Sequence, residues 1–405
     1  MEDFYRIKRL PPYVFAEVNK LKAKYRAENR DIIDLGMGNP DSPPPKHVIE
    51  KLREVACDET AHGYSVSRGI LGLRKAQANY YKRRFGVDLD PDSEVIATIG
   101  SKEGLANLIQ AITGPADVIV TANPSYPIHA YGPVIAGASV RYLAMTEGAN
   151  FLELLERAIK NMQPKPVAVI VNYPGNPTAE VVDLEFYRKL VELCREHGVF
   201  IISDMAYCEI YFDGNPPPSI LQVEGAKDIA IEFTSCSKTY SMAGWRVGFA
   251  AGNKQLIHAL TRIKSYLDYG TFTPIQAAAT TALNGPQECV DAIRKLYKER
   301  RDVLVKGLCD AGWPVPSPSA SMFIWAPLPH AYADLGSIEF SKLLLTHAEV
   351  AVAPGIGFGE YGDGHVRIAL VENKQRLRQA IRNIKQFLAK DPEEVKREHA
   401  KEMAA

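Results

Sequence analysis

Lysine 238 stands where its ordinary chemistry would change. It belongs to Ser235-Cys236-Ser237-Lys238, which directly follows the apolar, β-rich run 229–234 and precedes a second apolar run that opens at Val247. A lysine held between two buried strands is short of water, and desolvation disfavours its ammonium form. The resulting amine can form an imine with a carbonyl carbon. Arg246 and the serines add donors for an anion close by. An amine beside an anion site suits a phosphorylated carbonyl cofactor, pyridoxal phosphate.

The same turn permits other readings. Most lysines that end a strand are simply exposed. Ser235 and Lys238 also spell S-x-x-K, the nucleophile signature of penicillin-binding enzymes, whose partner motifs are S-D-N and K-T-G. The nearest runs, Ser203-Asp204-Met205 and Lys238-Thr239-Tyr240, leave that set incomplete. The choice therefore falls to the rest of the chain.

The elements that must position Lys238 alternate in type. Runs 95–99, 118–121, 140–143, 167–171, 199–202, 229–234 and 247–251 read as strands, and 102–112, 128–136, 151–160, 184–197 and 254–266 as helices. This alternation predicts an α/β fold with a mostly parallel sheet covered on both faces. Ahead of it lie a charged arm, a helical stretch at 13–26, a short strand at 32–37, the stiff break Pro43-Pro44-Pro45 and a helix at 46–57. Behind it, a helical pattern over 286–311 stops at Gly312-Trp313-Pro314. Segments 322–325, 337–347, 350–353, 366–370 and 375–388 then read as a smaller α+β unit, and the tail from 391 as a fraying helix. The expected division is an N-terminal arm with part of a small domain (1–45), a large cofactor-binding domain (46–290) and a small C-terminal domain (291–405).

In open parallel sheets, ligands bind beyond the carboxyl ends of the strands. Run 95–99 ends in Gly100-Ser101-Lys102-Glu103-Gly104 at a helix start, where unpaired N–H groups and the helix dipole attract an anion. Run 167–171 leads to Asn176, whose amide can donate to a ring oxygen. Run 199–202 leads to Asp204, a carboxylate suited to a protonated pyridine nitrogen, with Tyr207 in reach of a phenolic oxygen. Each has a plain alternative, as a capped helix, an Asn-Pro turn or a capping aspartate. Together with Lys238, four such groups at four strand ends are hard to ascribe to unrelated turns. Residues 357–362 fit G-x-G-x-x-G but run into strand-like HVRIAL, so the helix of a dinucleotide site is missing. They read as a flexible loop.

Composition narrows the class of protein. The 405 residues allow two or three domains, and 46% hydrophobic with 24% charged is an ordinary globular balance. Lys plus Arg (48) equal Asp plus Glu (48), so no global field recruits nucleic acid or membrane. Six scattered cysteines, without C-x-x-C, suit a reduced cytoplasmic protein without a metal site. No signal peptide and no membrane-spanning run are expected.

The motifs HGYSVSRG, GSKEG, NPSYPIH, NYPGNPT, SDMAY, SCSKTYSMAGWRVG and GHVRIAL, in this order, resemble the class I pyridoxal-phosphate aminotransferases of fold type I over nearly the whole chain. PPYVF, TIGSKEG with NPSYPIHAYG, and RIKSYLDYGTFTP are most similar to the bacterial glutamate–pyruvate (alanine) members, with aspartate and diaminopimelate enzymes similar too. The resemblance implies that Lys238 carries the cofactor and serves as general base. It implies that Asp204 binds the pyridine nitrogen, that Asn176 and Tyr207 contact the phenolic oxygen, and that Tyr126 stacks on the ring. Ser101, Lys102, Ser235 and Arg246 would surround the phosphate, joined by Tyr64 from the partner subunit of a homodimer. Arg367 would pair with the substrate carboxylate, and Gly38 would lie in the segment that closes over the substrate. The implied reaction is ping-pong transfer between L-alanine and 2-oxoglutarate. Aspartate, methionine or diaminopimelate as donor, or elimination by a lyase on the same cofactor, are the alternatives. Tyr13 and the tyrosines of 265–269 are expected either to wall the side-chain pocket or to pack at the subunit interface. Ala179 stands where the family frequently has Gly, so that turn is expected to avoid a positive φ angle.

Overall fold

The computed structural model describes residues 4–12 and 14–404, so Tyr13 lies outside the described residues. An N-terminal helix, Phe15–Ala27, leads to the two-residue strand β1 (Ile33–Asp34). The central run then supplies β2 (Val95–Thr98), β3 (Val118–Asn123), β4 (Ser139–Ala144), β5 (Ala168–Asn172), β6 (Phe200–Asp204), β7 (Ala230–Ser235) and β8 (Gly248–Gly252). These pair in the order β2-β8-β7-β6-β5-β3-β4. Neighbours are parallel except at β8, which runs antiparallel to both β2 and β7. The exception has a local cause. Between β7 and β8 lie only the short turns Cys236–Thr239 and Ala243–Trp245, with no crossover helix to carry the chain back to a parallel start.

Alternation along the strands feeds two cores. Val95, Ala97, Val120, Val169, Val171, Phe249 and Ala251 face one, and Ile96, Ile119, Ile170, Ile202, Ile231 and Ala250 face the other. Helices Ser101–Ile112, Pro127–Ala136 and Lys254–Leu267 pack over the second, and Phe151–Asn161 and Leu184–His197 over the first. Burial on both faces explains why these strands read as continuous apolar runs. Two further helices, Leu71–Phe85 and Thr273–Asn284, were not foreseen. The first buries Leu73, Arg74, Ala76, Gln77, Ala78, Tyr80 and Tyr81, so its contacts wrap its girth and leave no single apolar stripe.

The remaining strands, β9 (Phe323–Pro327), β10 (Val350–Ala351), β11 (Ala353–Pro354) and β12 (His365–Ala369), form an antiparallel sheet β11-β12-β9 and a parallel pair β1-β10. The strand expected over 350–353 is thus split at Val352, one half serving each sheet. Helices Glu288–Asp310, Gly336–Ala348 and Lys374–Leu388 close a separate core here that includes Ile33 and Leu35. The N-terminal segment therefore packs with the C-terminal part of the chain. Three local expectations need correction. The tail helix Pro392–Ala404 is anchored rather than fraying, with Val395 buried and Lys396 Nζ 3.0 Å from Asp334. The glycine-rich run is packed: its short turns Gly355–Phe358 and Glu360–Gly362 bury Phe358, whose carbonyl accepts from Ser125 N–H at 2.8 Å. Ala179 takes φ of 56°, because Gly175 N–H to Glu180 O (2.9 Å) and Ala179 N–H to Gly175 O (3.2 Å) close the turn around it. That left-handed conformation costs a residue with a Cβ about 1–2 kcal/mol.

Candidate active site

Lys238 sits in the turn Cys236–Thr239, whose first N–H groups are capped by Ser235: its Oγ accepts from Ser237 N–H at 3.1 Å. The lysine ammonium donates to Gly38 O at 2.6 Å. Burial first, then the positive charges of Arg367 and Arg246, bring its pKa from 10.5 down to about 8. The desolvated amine read from the sequence is therefore present, and two guanidinium groups reinforce it.

Arg246 shares the connection with Lys238. It holds a left-handed φ of 58° and donates to Ala243 O at 2.9 Å. Its guanidinium presses on Gly100, where a Cβ would fall 2.1 Å from Nη2. Gly100 is required twice over, since its own φ is 79°. Helix Ser101–Ile112 starts immediately afterwards, so its free N–H groups, Ser101 and Lys102 meet Arg246 around one concavity. Lys102 Nζ lies 5.7 Å from the Tyr126 ring centre.

Asp204 ends β6, with one carboxylate oxygen 2.9 Å from His129 Nε2 and the other buried without a hydrogen-bond partner among the described residues. His129 was missed in the sequence, although it closes the NPSYPIH motif that also holds Tyr126. Its position in the first turn of a helix that follows a strand end was the available signal. Asn172 steadies the same strand end by donating to Asp204 O at 2.7 Å.

On the opposite wall, Arg367 projects from the middle of β12. It donates through Nη1 to Asn176 Oδ1 (2.7 Å) and through Nη2 to Gly36 O (2.9 Å), and its plane lies 4.1 Å from the Phe323 ring centre. Asn176 Nδ2 is 3.5 Å from Tyr207 OH. Burial holds the Tyr207 hydroxyl far above its ordinary pKa, so it remains a neutral donor. Gly38 is the close-approach glycine of this wall, since a Cβ there would meet the Phe323 ring at 2.6 Å.

Apart from His129 and Gly100, which lie behind its wall, these groups and Ser235 line a cavity of about 690 Å³. Of the site residues expected from the sequence, Tyr13 lies outside the described residues, and Tyr64, Tyr266 and Tyr269 do not line this cavity. Tyr64 is 89% exposed and leans on Tyr269, ring centres 4.6 Å apart. The donor set suits pyridoxal phosphate on structural grounds. A partnerless buried carboxylate oxygen matches a protonated ring nitrogen, a crowded cationic concavity at a helix start matches a phosphate, and an amine of depressed pKa matches a carbonyl.

Residues 30–384 match the family described as aminotransferase class I and II. The chain is 58% identical over 389 residues to a putative aminotransferase, AatC, of Rhizobium meliloti, covering 96% of each protein. It is 55% identical over 388 residues to the glutamate-pyruvate aminotransferase AlaC of Escherichia coli (96% of this chain, 94% of that one). It is 42% identical over 390 residues to the LL-diaminopimelate aminotransferase of Moorella thermoacetica (96% and 99%). A mutant aspartate aminotransferase of Thermus thermophilus superimposes with a TM-score of 0.87 at 28% identity, covering 96% of this chain and 100% of that one. The chain belongs to the class I and II aminotransferases and has the fold type I architecture. It is a pyridoxal-phosphate-dependent transaminase.

Proposed function

We propose that this aminotransferase moves an amino group between L-alanine and 2-oxoglutarate, yielding pyruvate and L-glutamate in two alternating half-reactions. The observation that carries this reading is the 55% identity to a glutamate-pyruvate aminotransferase over 96% of the chain. The 42% identity to a diaminopimelate enzyme favours diaminopimelate as the second reading.

Pyridoxal phosphate, when bound, supplies an electrophilic carbonyl for the amino group and a ring that takes up the electron pair left at Cα. The chain's residues do the rest. Ser101, Lys102, Ser235 and Arg246 would hold the phosphate, and Tyr126 would cover the ring. Asp204 would hold a proton at the ring nitrogen, with His129 fixing the carboxylate's direction. Asn176 and the neutral Tyr207 would donate to the phenolic oxygen. Arg367, already aligned by Asn176 and Gly36, would grip the α-carboxylate with its planar fork. Lys238, with a pKa of about 8, is poised to take the proton from Cα and return it.

The separate core of the small sheets, set against the cores on the two faces of the central sheet, supports dividing the chain into 1–45, 46–290 and 291–405. Exposed Tyr64, Tyr266, Leu267, Tyr269 and Phe272 support an isologous homodimer in which Tyr64 reaches the partner's phosphate site. The six free cysteines suit a reducing cytoplasm.

Steady-state kinetics with alanine, aspartate, methionine and diaminopimelate as donors test the substrate. Alanine should give the highest kcat/KM, with 2-oxoglutarate as acceptor. A higher value for aspartate or diaminopimelate overturns the alanine reading, and ammonia release without an oxo acid points to a lyase.

A further inference from the structure

The cavity that holds Lys238 and Arg367 extends to the N-terminal helix. Phe15, Val18, Asn19 and Lys22 all line it, and their spacing of i, i+3, i+4 and i+7 places them on one helix face. Lys22 carries the cation of that stripe. Its Nζ lies 2.7 Å from Asp34 Oδ2, with the side chains 13% and 18% exposed. Arg26 stands 3.5 Å from the same oxygen. Arg26, half exposed and outside the cavity lining, gives Asp34 a second cation to hold it when Lys22 turns to a ligand.

The pair is also wired to the α-carboxylate arginine. Asp34 Oδ1 accepts from Gly36 N–H at 3.1 Å, and Gly36 O accepts from Arg367 at 2.9 Å. Residues 34 and 36 are two steps of chain apart, with their Cα atoms at most about 7 Å from one another, so the partners of Lys22 and of Arg367 sit on neighbouring positions of one segment. The two carboxylates of an extended five-carbon dicarboxylate are about 5 Å apart. An ammonium on a flexible four-carbon stem can swing toward such a second carboxylate, and Asp34 occupies one of its three donors.

We infer that Lys22, held by Asp34, is the specificity-determining donor for the second carboxylate of glutamate and 2-oxoglutarate. This rests on the proposed alanine–glutamate reading. It accounts for one pocket serving both a methyl group and a carboxylate. With alanine the ammonium stays on Asp34, and with glutamate it shares itself between Asp34 and the substrate.

The test compares single-turnover half-reactions of L-glutamate and L-alanine, followed by cofactor absorbance, with calorimetric binding of glutarate and butyrate, neither of which reacts. Lys22→Met should lower the glutamate-to-alanine ratio of second-order rate constants about tenfold to a hundredfold, the range for a hydrogen bond to a charged group. It should weaken glutarate relative to butyrate by a similar factor, and Lys22→Arg should restore most of both. Asp34→Asn, which removes the competing carboxylate, should shift both ratios the other way. Equal effects on both amino acids with unchanged glutarate preference would overturn the assignment. A wild-type enzyme inert to glutamate would overturn the substrate reading instead, and glutarate binding would still decide the role of Lys22.

Discussion

Replacing Lys238 by methionine in cofactor-free protein should make the fold more stable at neutral pH. The lysine pKa is depressed from 10.5 to about 8 by burial and by Arg367 and Arg246. Below pH 8 both folded and unfolded chains carry the charge, and the folded state bears its full cost. Between pH 8 and 10.5 the unfolded chain binds more protons, so wild-type stability climbs with pH. Above 10.5 both forms are neutral and the cost is gone. The drop corresponds to roughly 3 kcal/mol. That drop is the net cost of charging the lysine in its folded surroundings, its bond to Gly38 O included, so Lys238→Met should be ahead by about 3 kcal/mol at pH 7. Urea unfolding of both proteins from pH 7 to 10.5, compared at their midpoints, measures it. The gap should close as pH approaches 10.5. A wild type as stable as the variant at pH 7, or a gap independent of pH, would refute the electrostatic account of this lysine.

Asp204→Ala should lower turnover about a hundredfold or more while costing about 1–3 kcal/mol of stability, the penalty for leaving His129 without its buried partner. Turnover and urea midpoints separate the two, and wild-type rates would make Asp204 a structural residue. Heterodimers of Tyr64→Phe and Lys238→Ala subunits should recover about half of the wild-type activity if Tyr64 serves the neighbouring site, since one site then carries neither change. Confirmed heterodimers without recovery would place Tyr64 in its own subunit's site.

Much of the site was legible because chemistry sits at strand ends, and strand ends are visible as the places where apolar runs stop. Asn176, Asp204 and Lys238 were found that way. Arg367 was different: nothing local distinguishes an arginine in the middle of a strand, and only resemblance singled it out. His129 was hidden because its partner is 75 residues distant, and the helix carrying it looks ordinary. Lys22 was hidden for the same reason, as a charged residue on a charged helix. Leu71–Phe85 escaped because burial around its girth erases the helical period. Ala179 was misjudged because residue type was weighed against two backbone hydrogen bonds that the sequence does not display.

The reversal at β8 has a consequence for the order in which the molecule comes together. Because β7 and β8 are neighbours joined by one short connection, Lys238 and Arg246 are brought beside each other at little loop-closure entropy. Within one chain, the concavity proposed for the phosphate is built from residues between Gly100 and Gly252, all of them made before the small antiparallel sheet exists, and only Tyr64 of the proposed partner subunit is added later. The opposite wall needs Arg367 to reach Gly36 across 331 residues and Asn176 across 191. During synthesis, with N-terminal parts folding first, a growing chain would own a place for the cofactor well before it owned a place for any amino acid. On that proposed site, loading would precede completion, and Lys238 would be masked before the chain could meet its substrates.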